Sequence, residues 1–302
     1  MMTTRDAMPA GGLLLVNKCE GMTSRRVVDR VEGRIGTLRV GHAGTLDPFA
    51  RGLLIVLWDR ATALVPYLQE YRKSYLGDIR FGRVTDTQDH TGQVLHETDP
   101  SHLEPADIRA AMHRSEGWIE QVPPSISAVK RRGQPAHKLT RLGERLDLAP
   151  RRRYVHRFEL REWTPPVARC LIECASGTYV RTLAHDLGQA LGTGGCLEAL
   201  ERTGIGPFRL DDAVDVLTLD TISPETLSLR VLKPAVALPD WPAITVDDDE
   251  IQALVYGLVG PLCDRRLEDC AFRALDREGE LVALVHGGRA PRILRGFRGD
   301  SA

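Results

Sequence analysis

Between Lys73 and Phe81 the residues alternate in polarity, with Tyr75, Gly77, Ile79 and Phe81 on one side. Side chains of an extended strand point alternately to opposite faces, so this period of two requires a sheet with one buried face. Tyr154–Trp163 and Arg169–Cys174 repeat the pattern in the manner of antiparallel strands. Shorter apolar runs, Gly12–Asn17 and Leu53–Leu57, read as further strands. Helical patterns are interleaved with them. Thr23 or Ser24 caps a helix reaching about Ile35, with Val27, Val28, Val31 and Ile35 on one face. Thr62–Tyr67, Pro105–His113 and Thr182–Leu191 read as helices, the last stopped by Gly192.

At 302 residues the chain suits a large domain and a smaller one. The prolines around Leu238–Trp241 mark a linker, and Ile244 to about Phe297 holds short strand-like runs such as Leu281–His286. Met1–Gly12 holds no apolar run fit for a signal peptide and is expected to be disordered as far as residue 11. No run of eighteen apolar residues exists to span a membrane. The six cysteines form no C-x-x-C pair, which favours buried reduced thiols over disulfides or a metal site. Neither a P-loop nor a dinucleotide-binding glycine fingerprint is present.

The net charge of −1 is small, but its distribution is uneven. Lys130, Arg131, Arg132, Lys138, Arg141, Arg145, Arg151, Arg152, Arg153, Arg157 and Arg161 crowd one segment. Acidic residues gather later, at Asp211–Asp220 and Asp247–Glu250. The basic segment is either a solvated surface or a local attractor of phosphates.

One loop concentrates turn-forming and chemically active residues: Val40, Gly41, His42, Ala43, Gly44, Thr45, Leu46, Asp47, Pro48 and on to Gly52. Pro48 keeps Asp47 extended, so that its carboxylate either projects into a cleft or closes a turn on its own backbone. The run Gly44-Thr45-Leu46-Asp47-Pro48 after Gly41-His42 resembles the catalytic motif of the TruB family of tRNA pseudouridine synthases. Other stretches are similar to the family's motifs in the same order. They are Leu15–Lys18 with Gly21–Ser24, Lys73–Tyr75 with Phe81–Asp89 and Gly92, Pro123–Lys130 with Gly133, Cys174–Leu183 with Asp186–Gly188, and Leu200–Thr203. The resemblance runs from about Leu13 to Phe208. His137, Arg51 and Asp59 depart from it, standing where the family usually has a tyrosine, a small hydroxyl residue and a glycine.

The resemblance implies a mixed α/β (α+β) fold around a large antiparallel-rich sheet. A catalytic domain would span 12–238, with a basic RNA-gripping insertion at about 124–153, followed by a small β-rich, PUA-like module over 243–302. It implies conversion of the T-loop uridine at position 55 of tRNA to pseudouridine, after the base is flipped out of the loop. Asp47, Tyr75 and Arg181 would be catalytic: Asp47 as nucleophile or base, Arg181 as its ion-pair partner, Tyr75 stacking on the base. His42 would fill the space the base leaves, Tyr179 and Leu200 would line the pocket, and Lys130, Arg151, Arg152 and Arg153 would grip phosphates. Lys18 and Lys73 would serve phosphate contacts or structural pairing. The isomerisation needs no redox step or energy donor, so no cofactor and no metal is expected. The expected enzyme is a cytoplasmic monomer that takes the T-arm stem-loop of tRNA and requires no protein partner or membrane. The alternatives are a pseudouridine synthase with another RNA target, including a guide-RNA-dependent relative, and a tRNA-folding chaperone using the same surface.

Overall fold

The computed structural model describes residues 9, 11–37, 39–122, 124, 130–131, 134–135, 149–263 and 265–297. Most of the basic insertion, including His137, and residues 1–8 and 10 of the N-terminus lie outside the described residues. Strand β1 (Gly12–Lys18) leads to α1 (Ser24–Ile35), β2 (Val40–His42) and β3 (Arg51–Trp58). After a 3-10 turn come α2 (Val65–Glu70), β4 (Lys73–Phe81), β5 (Arg83–Thr85), β6 (Val94–Glu97), α3 (Pro105–Arg114) and β7 (Gly117–Gln121). The two-residue strands β8 (Lys130–Arg131) and β9 (Gln134–Pro135) pair within the insertion. Then follow β10 (Arg151–Thr164), β11 (Val167–Cys174), α4 (Val180–Ala190), β12 (Gly195–Ile205), β13 (Phe208–Arg209), β14 (Val214–Asp215) and α5 (Pro224–Ser228). The last part holds β15 (Ala243–Thr245), α6 (Asp248–Val255), α7 (Gly260–Cys263), β16 (Ala271–Leu275), β17 (Leu281–His286) and β18 (Arg292–Gly296).

A ten-stranded sheet runs β14-β1-β3-β12-β4-β11-β10-β7, with β2 added to β3 and β13 to β12. Its pairs are antiparallel except β1 with β14 and β3 with β12. The alternation in β4 is realised residue by residue, since Lys73, Tyr75, Gly77, Ile79 and Phe81 are all buried. Tyr75, Ile79, Phe158 and Ile172 form a core with Leu46 and Phe49 of the catalytic-motif loop and with Val180, Leu183 and Leu187 of α4. Leu14, Val16, Leu54 and Val56 pack against the Val27, Val28, Val31 and Ile35 face of α1. Thr23 caps α1 by accepting a hydrogen bond from the amide of Arg26.

One local expectation is modified. The helix read over Thr62–Tyr67 is a 3-10 turn, Asp59–Leu64, running into α2. Pro66 lies in the first turn of α2, where its missing N–H costs no hydrogen bond, and this sets the start of the α-helix there. Asp59, the departure from a common glycine, has φ +48, a backbone conformation that favours glycine. Its carboxylate accepts a hydrogen bond from Thr37 Oγ1 at 2.6 Å, which offsets that cost.

The four-stranded sheet β15-β16-β17-β18 forms the small C-terminal module. The segment read as a linker is firmly packed. Ala235, Ala237 and Leu238 share one apolar cluster with Leu281, Leu284 and Phe297 of the module and with Leu13, Leu57, Leu64, Leu68 and Ile205 of the large domain. Arg60 donates to the Phe297 carbonyl at 3.0 Å, and Arg273 donates to the carbonyls of Trp241 at 2.9 Å and Ala235 at 2.8 Å. Among the described residues no helix is long and apolar enough to cross a membrane.

This shared cluster predicts that the module does not unfold by itself. Leu284→Ala removes a fully buried side chain and should cost about 2–5 kcal/mol. Urea unfolding followed by tryptophan fluorescence and by circular dichroism should give one coincident, lowered transition. Two separated transitions would show that the module is an independent unit.

Candidate active site

The loop carrying Asp47 is held from Gly44 to Pro48 by a donor on every carbonyl. Arg202, fully buried in β12, donates to Gly44 O at 3.0 Å through Nη2, to Thr45 O at 3.4 Å through Nη1 and to Leu53 O at 2.7 Å through Nε. Ser24 Oγ donates to Leu46 O at 3.1 Å and accepts from Leu46 N at 2.9 Å. The Ala50 amide donates to Asp47 O, and the Gly21 amide to Pro48 O. Lys18 Nζ also donates to Pro48 O at 3.2 Å, as well as to Met22 O at 2.7 Å and Cys19 O at 3.1 Å. Gly52 makes the approach of β3 to β12 possible: its φ is +104, and a Cβ there would lie 2.4 Å from the Arg202 carbonyl oxygen.

The carboxylate of Asp47 meets Arg181, the second residue of α4. Arg181 Nε lies 3.0 Å from Asp47 Oδ2, and Nη2 donates to Oδ1 at 3.4 Å, a two-bond pairing. The third nitrogen, Nη1, donates to Asp89 Oδ2 at 3.3 Å and to Thr87 O at 3.1 Å. Asp89 Oδ1 accepts from Thr87 Oγ1, Thr91 N and Thr91 Oγ1. The side chains of Arg181 and Asp89 are 6% and 4% exposed, whereas that of Asp47 is 38% exposed. Two carboxylates thus share one guanidinium, and only Asp47 opens outward. Burial pushes the Asp47 carboxyl above its ordinary value of 3.8; Arg181 opposes this and the nearby Asp89 charge adds to it.

Tyr75 faces the same space from β4. Its phenol shares a hydrogen bond with the Arg202 guanidinium, and burial pushes its pKa up to about 12, so it keeps its proton at neutral pH. Leu200 lies in the same apolar cluster as Tyr75, Leu46 and Val180. Tyr179 precedes α4, and its backbone is clamped by Gln121 of β7. The Gln121 Oε1 accepts from Tyr179 N at 3.0 Å, and its Nε2 donates to Tyr179 O at 3.1 Å. His42, on β2, is half-buried, and its Nδ1 finds no hydrogen-bond partner among the described residues. Burial, then the Arg202 charge, holds its imidazole below the ordinary value.

The expected phosphate contacts divide. Lys18 and Lys73 are buried, and Lys73 Nζ donates to the Gln69 carbonyl, so of the two roles expected the geometry gives structural pairing. Burial lowers both amines to about 8. Arg151 and Arg152 are exposed on β10. Arg153 instead donates to Gly177 O at 2.9 Å and to Arg152 O at 3.0 Å, bracing the turn before Tyr179. The backbone of Lys130 pairs with Pro135, and its side chain lies outside what is described. Arg202, Asp89 and Gln121 received no role from the sequence, and Ser24 only that of an alternative helix cap. Each acts on a residue far away in the chain, and no local pattern around them signals that partner.

Comparison with known proteins identifies the family. Residues 32–180 match the family model for TruB family pseudouridylate synthase (N terminal domain), and residues 181–235 match that for the tRNA pseudouridylate synthase B C-terminal domain. The tRNA pseudouridine synthase B of Syntrophotalea carbinolica is 37% identical over 296 residues, covering 96% of this chain and 95% of that protein. That of Symbiobacterium thermophilum is 43% identical over 255 residues, covering 83% of this chain and 84% of that protein. A chain from the crystal structure of a Cbf5-Nop10-Gar1 complex shares the fold, with a TM-score of 0.71 at 24% identity over 95% of this chain and 85% of that one. The chain is thus a pseudouridine synthase, an isomerase, and within that class it belongs to the TruB family.

Arg202→Met should unfold at markedly lower urea concentration. The change strands the carbonyls of Gly44, Thr45 and Leu53 and the Tyr75 phenol, at about 1–3 kcal/mol for each group left unsatisfied. A loss under about 1 kcal/mol would mean that the loop does not depend on this guanidinium.

Proposed function

We propose that this enzyme converts the T-loop uridine at position 55 of tRNA to pseudouridine, with Asp47 as its catalytic carboxylate. The observation that carries the proposal is the two-bond pairing of a partly open Asp47 with a buried Arg181, beside the ring of Tyr75. Breaking the C1′–N1 bond, turning the base and joining C1′ to C5 moves one proton from C5 and returns one to N1. A carboxylate serves this either by attacking the sugar or by taking a sugar proton. Both routes need Asp47 ionised, and Arg181 supports that form against the burial that disfavours it. The Tyr75 ring would offer a surface for the extruded base, and its phenol would exchange a proton near C5. His42 would occupy the space the uridine vacates. Tyr179 and Leu200 would close the pocket, and exposed Arg151 and Arg152 would meet phosphates. The reading also includes the T-arm stem-loop as the recognised element, a monomeric cytoplasmic enzyme, and no cofactor.

Incubating the purified protein with unmodified tRNA and mapping pseudouridine tests the proposal. Modification confined to position 55 is the expected result; modification elsewhere, or none, overturns it. Asp47→Asn should bind tRNA within a few-fold of wild type and turn over about four decades more slowly, a loss of about 5–6 kcal/mol in transition-state stabilisation. Substantial turnover would remove Asp47 from the chemistry.

Arg181→Lys should also be poorly active, because an ammonium cannot make the planar two-bond contact. A near-normal rate would reduce Arg181 to a bystander.

The pH dependence follows from the raised Asp47 carboxyl. Since its ionised form is the active one, kcat/KM should fall as pH drops through a value above the ordinary 3.8. Flat activity down to pH 4 would contradict this assignment.

A further inference from the structure

On the face of β7 and β10 turned away from Gln121 and its clamp on Tyr179, four side chains form a continuous aromatic and cationic surface. Trp118 is 63% exposed, a large apolar area for an edge strand. The Arg152 guanidinium lies over its ring, 4.7 Å from the centroid. Tyr154, directly across the ladder, meets Trp118 edge to face at 5.2 Å, and His156 continues the row at 4.7 Å from Tyr154. Although Glu120 stands opposite Arg152 in the register, the guanidinium rests on the indole. Arg151, one residue earlier in β10, is exposed too, on the Gln121 side of the register.

We propose that Trp118, Tyr154, His156 and Arg152 form a second RNA-binding site, a stacking platform for an unpaired base of the bound RNA. The inference rests on the reading that the enzyme acts on tRNA. The chemistry selects this ligand. Flat rings stack on any nucleobase face, and the Arg152 guanidinium supplies the positive charge that a phosphate backbone requires. An apolar protein segment would desolvate Arg152. The distance also fits. Trp118 lies three residues from Gln121 along one strand, about 10 Å at the usual rise, and Gln121 holds the pocket wall at Tyr179. A base on the platform therefore belongs to a nucleotide outside the catalytic pocket, on the same RNA. The contact adds affinity and takes no part in the chemical step.

The test uses full-length protein and unmodified whole tRNA. Trp118→Ala should weaken tRNA binding about tenfold, with the loss in KM and not in kcat, while Trp118→Phe, which keeps a flat ring, should restore most of the affinity. Trp118 is much more exposed than the fully buried Trp58, so tRNA should quench its emission, and Trp118→Phe should lose most of that quenching. An unchanged dissociation constant in Trp118→Ala overturns the proposal, as does a loss as large in Trp118→Phe as in Trp118→Ala. Self-association of the wild type that Trp118→Ala abolishes, with no fluorescence response to tRNA, would assign the surface to a protein contact instead. If the wild type fails to modify tRNA, the underlying functional reading fails; if it modifies tRNA but the platform variants bind normally, only the platform fails.

Discussion

A single buried guanidinium, Arg202, ties the catalytic loop to the sheet. From the middle strand β12 it donates to carbonyls on both sides of the loop, at Gly44, Thr45 and Leu53, and meets the Tyr75 phenol from the neighbouring strand. Taking such a charge out of water is costly unless its donors are used, and here the loop carbonyls use them. The same contacts leave those carbonyls satisfied away from water, so the loop can be rigid without belonging to a helix or strand. Ser24 and Lys18 complete the work from α1 and β1. The position of Asp47 is thereby fixed by three elements at once.

The contacts around Arg181 distinguish its two carboxylates. Asp89 is enclosed, with one oxygen on Arg181 and the other taken by Thr87 and Thr91. Among the described residues the Asp47 carboxylate is bonded by Arg181, and it is partly exposed. The Asp89 charge works against ionisation of Asp47, and Arg181 works for it. The threonine donors make Asp89 a fixed anchor for the guanidinium, and the arginine in turn presents Asp47 in one orientation.

The insertion and the site are mechanically joined through the strands at its roots. Gln121 ends β7 just before it and Arg153, third in β10, lies at its far end, and both bond the turn that leads into α4. Arg181 is two residues beyond Tyr179 on that helix. The described ends of the insertion are therefore bonded to the turn that leads to Arg181. The C-terminal module is joined as directly, through Leu281, Leu284 and Phe297 in a core shared with the large domain.

The alternation in β4, β10 and β11 determined an antiparallel sheet before any coordinate was known, because a period of two has no other stable burial. The motifs around Asp47, Tyr75 and Arg181 likewise pointed to the family, since those residue types recur there in a fixed order. What the sequence left undetermined was which polar residues would be buried and what they would hold. Nothing in the sequence around Arg202 and Gln121 shows what they hold, and Lys18 and Lys73 suit phosphate contacts or structural pairing alike. Only pairing across the sheet placed Arg202 beneath the loop, Gln121 against Tyr179, and both lysines out of water's reach. The packed segment at Leu238, read from its prolines as a linker, was decided in the same way. Local propensity describes how a segment bends, whereas burial and hydrogen-bond partnership depend on residues distant in the chain, 58 positions for Gln121 and Tyr179 and 158 for Arg202 and Gly44, which only the folded chain brings together.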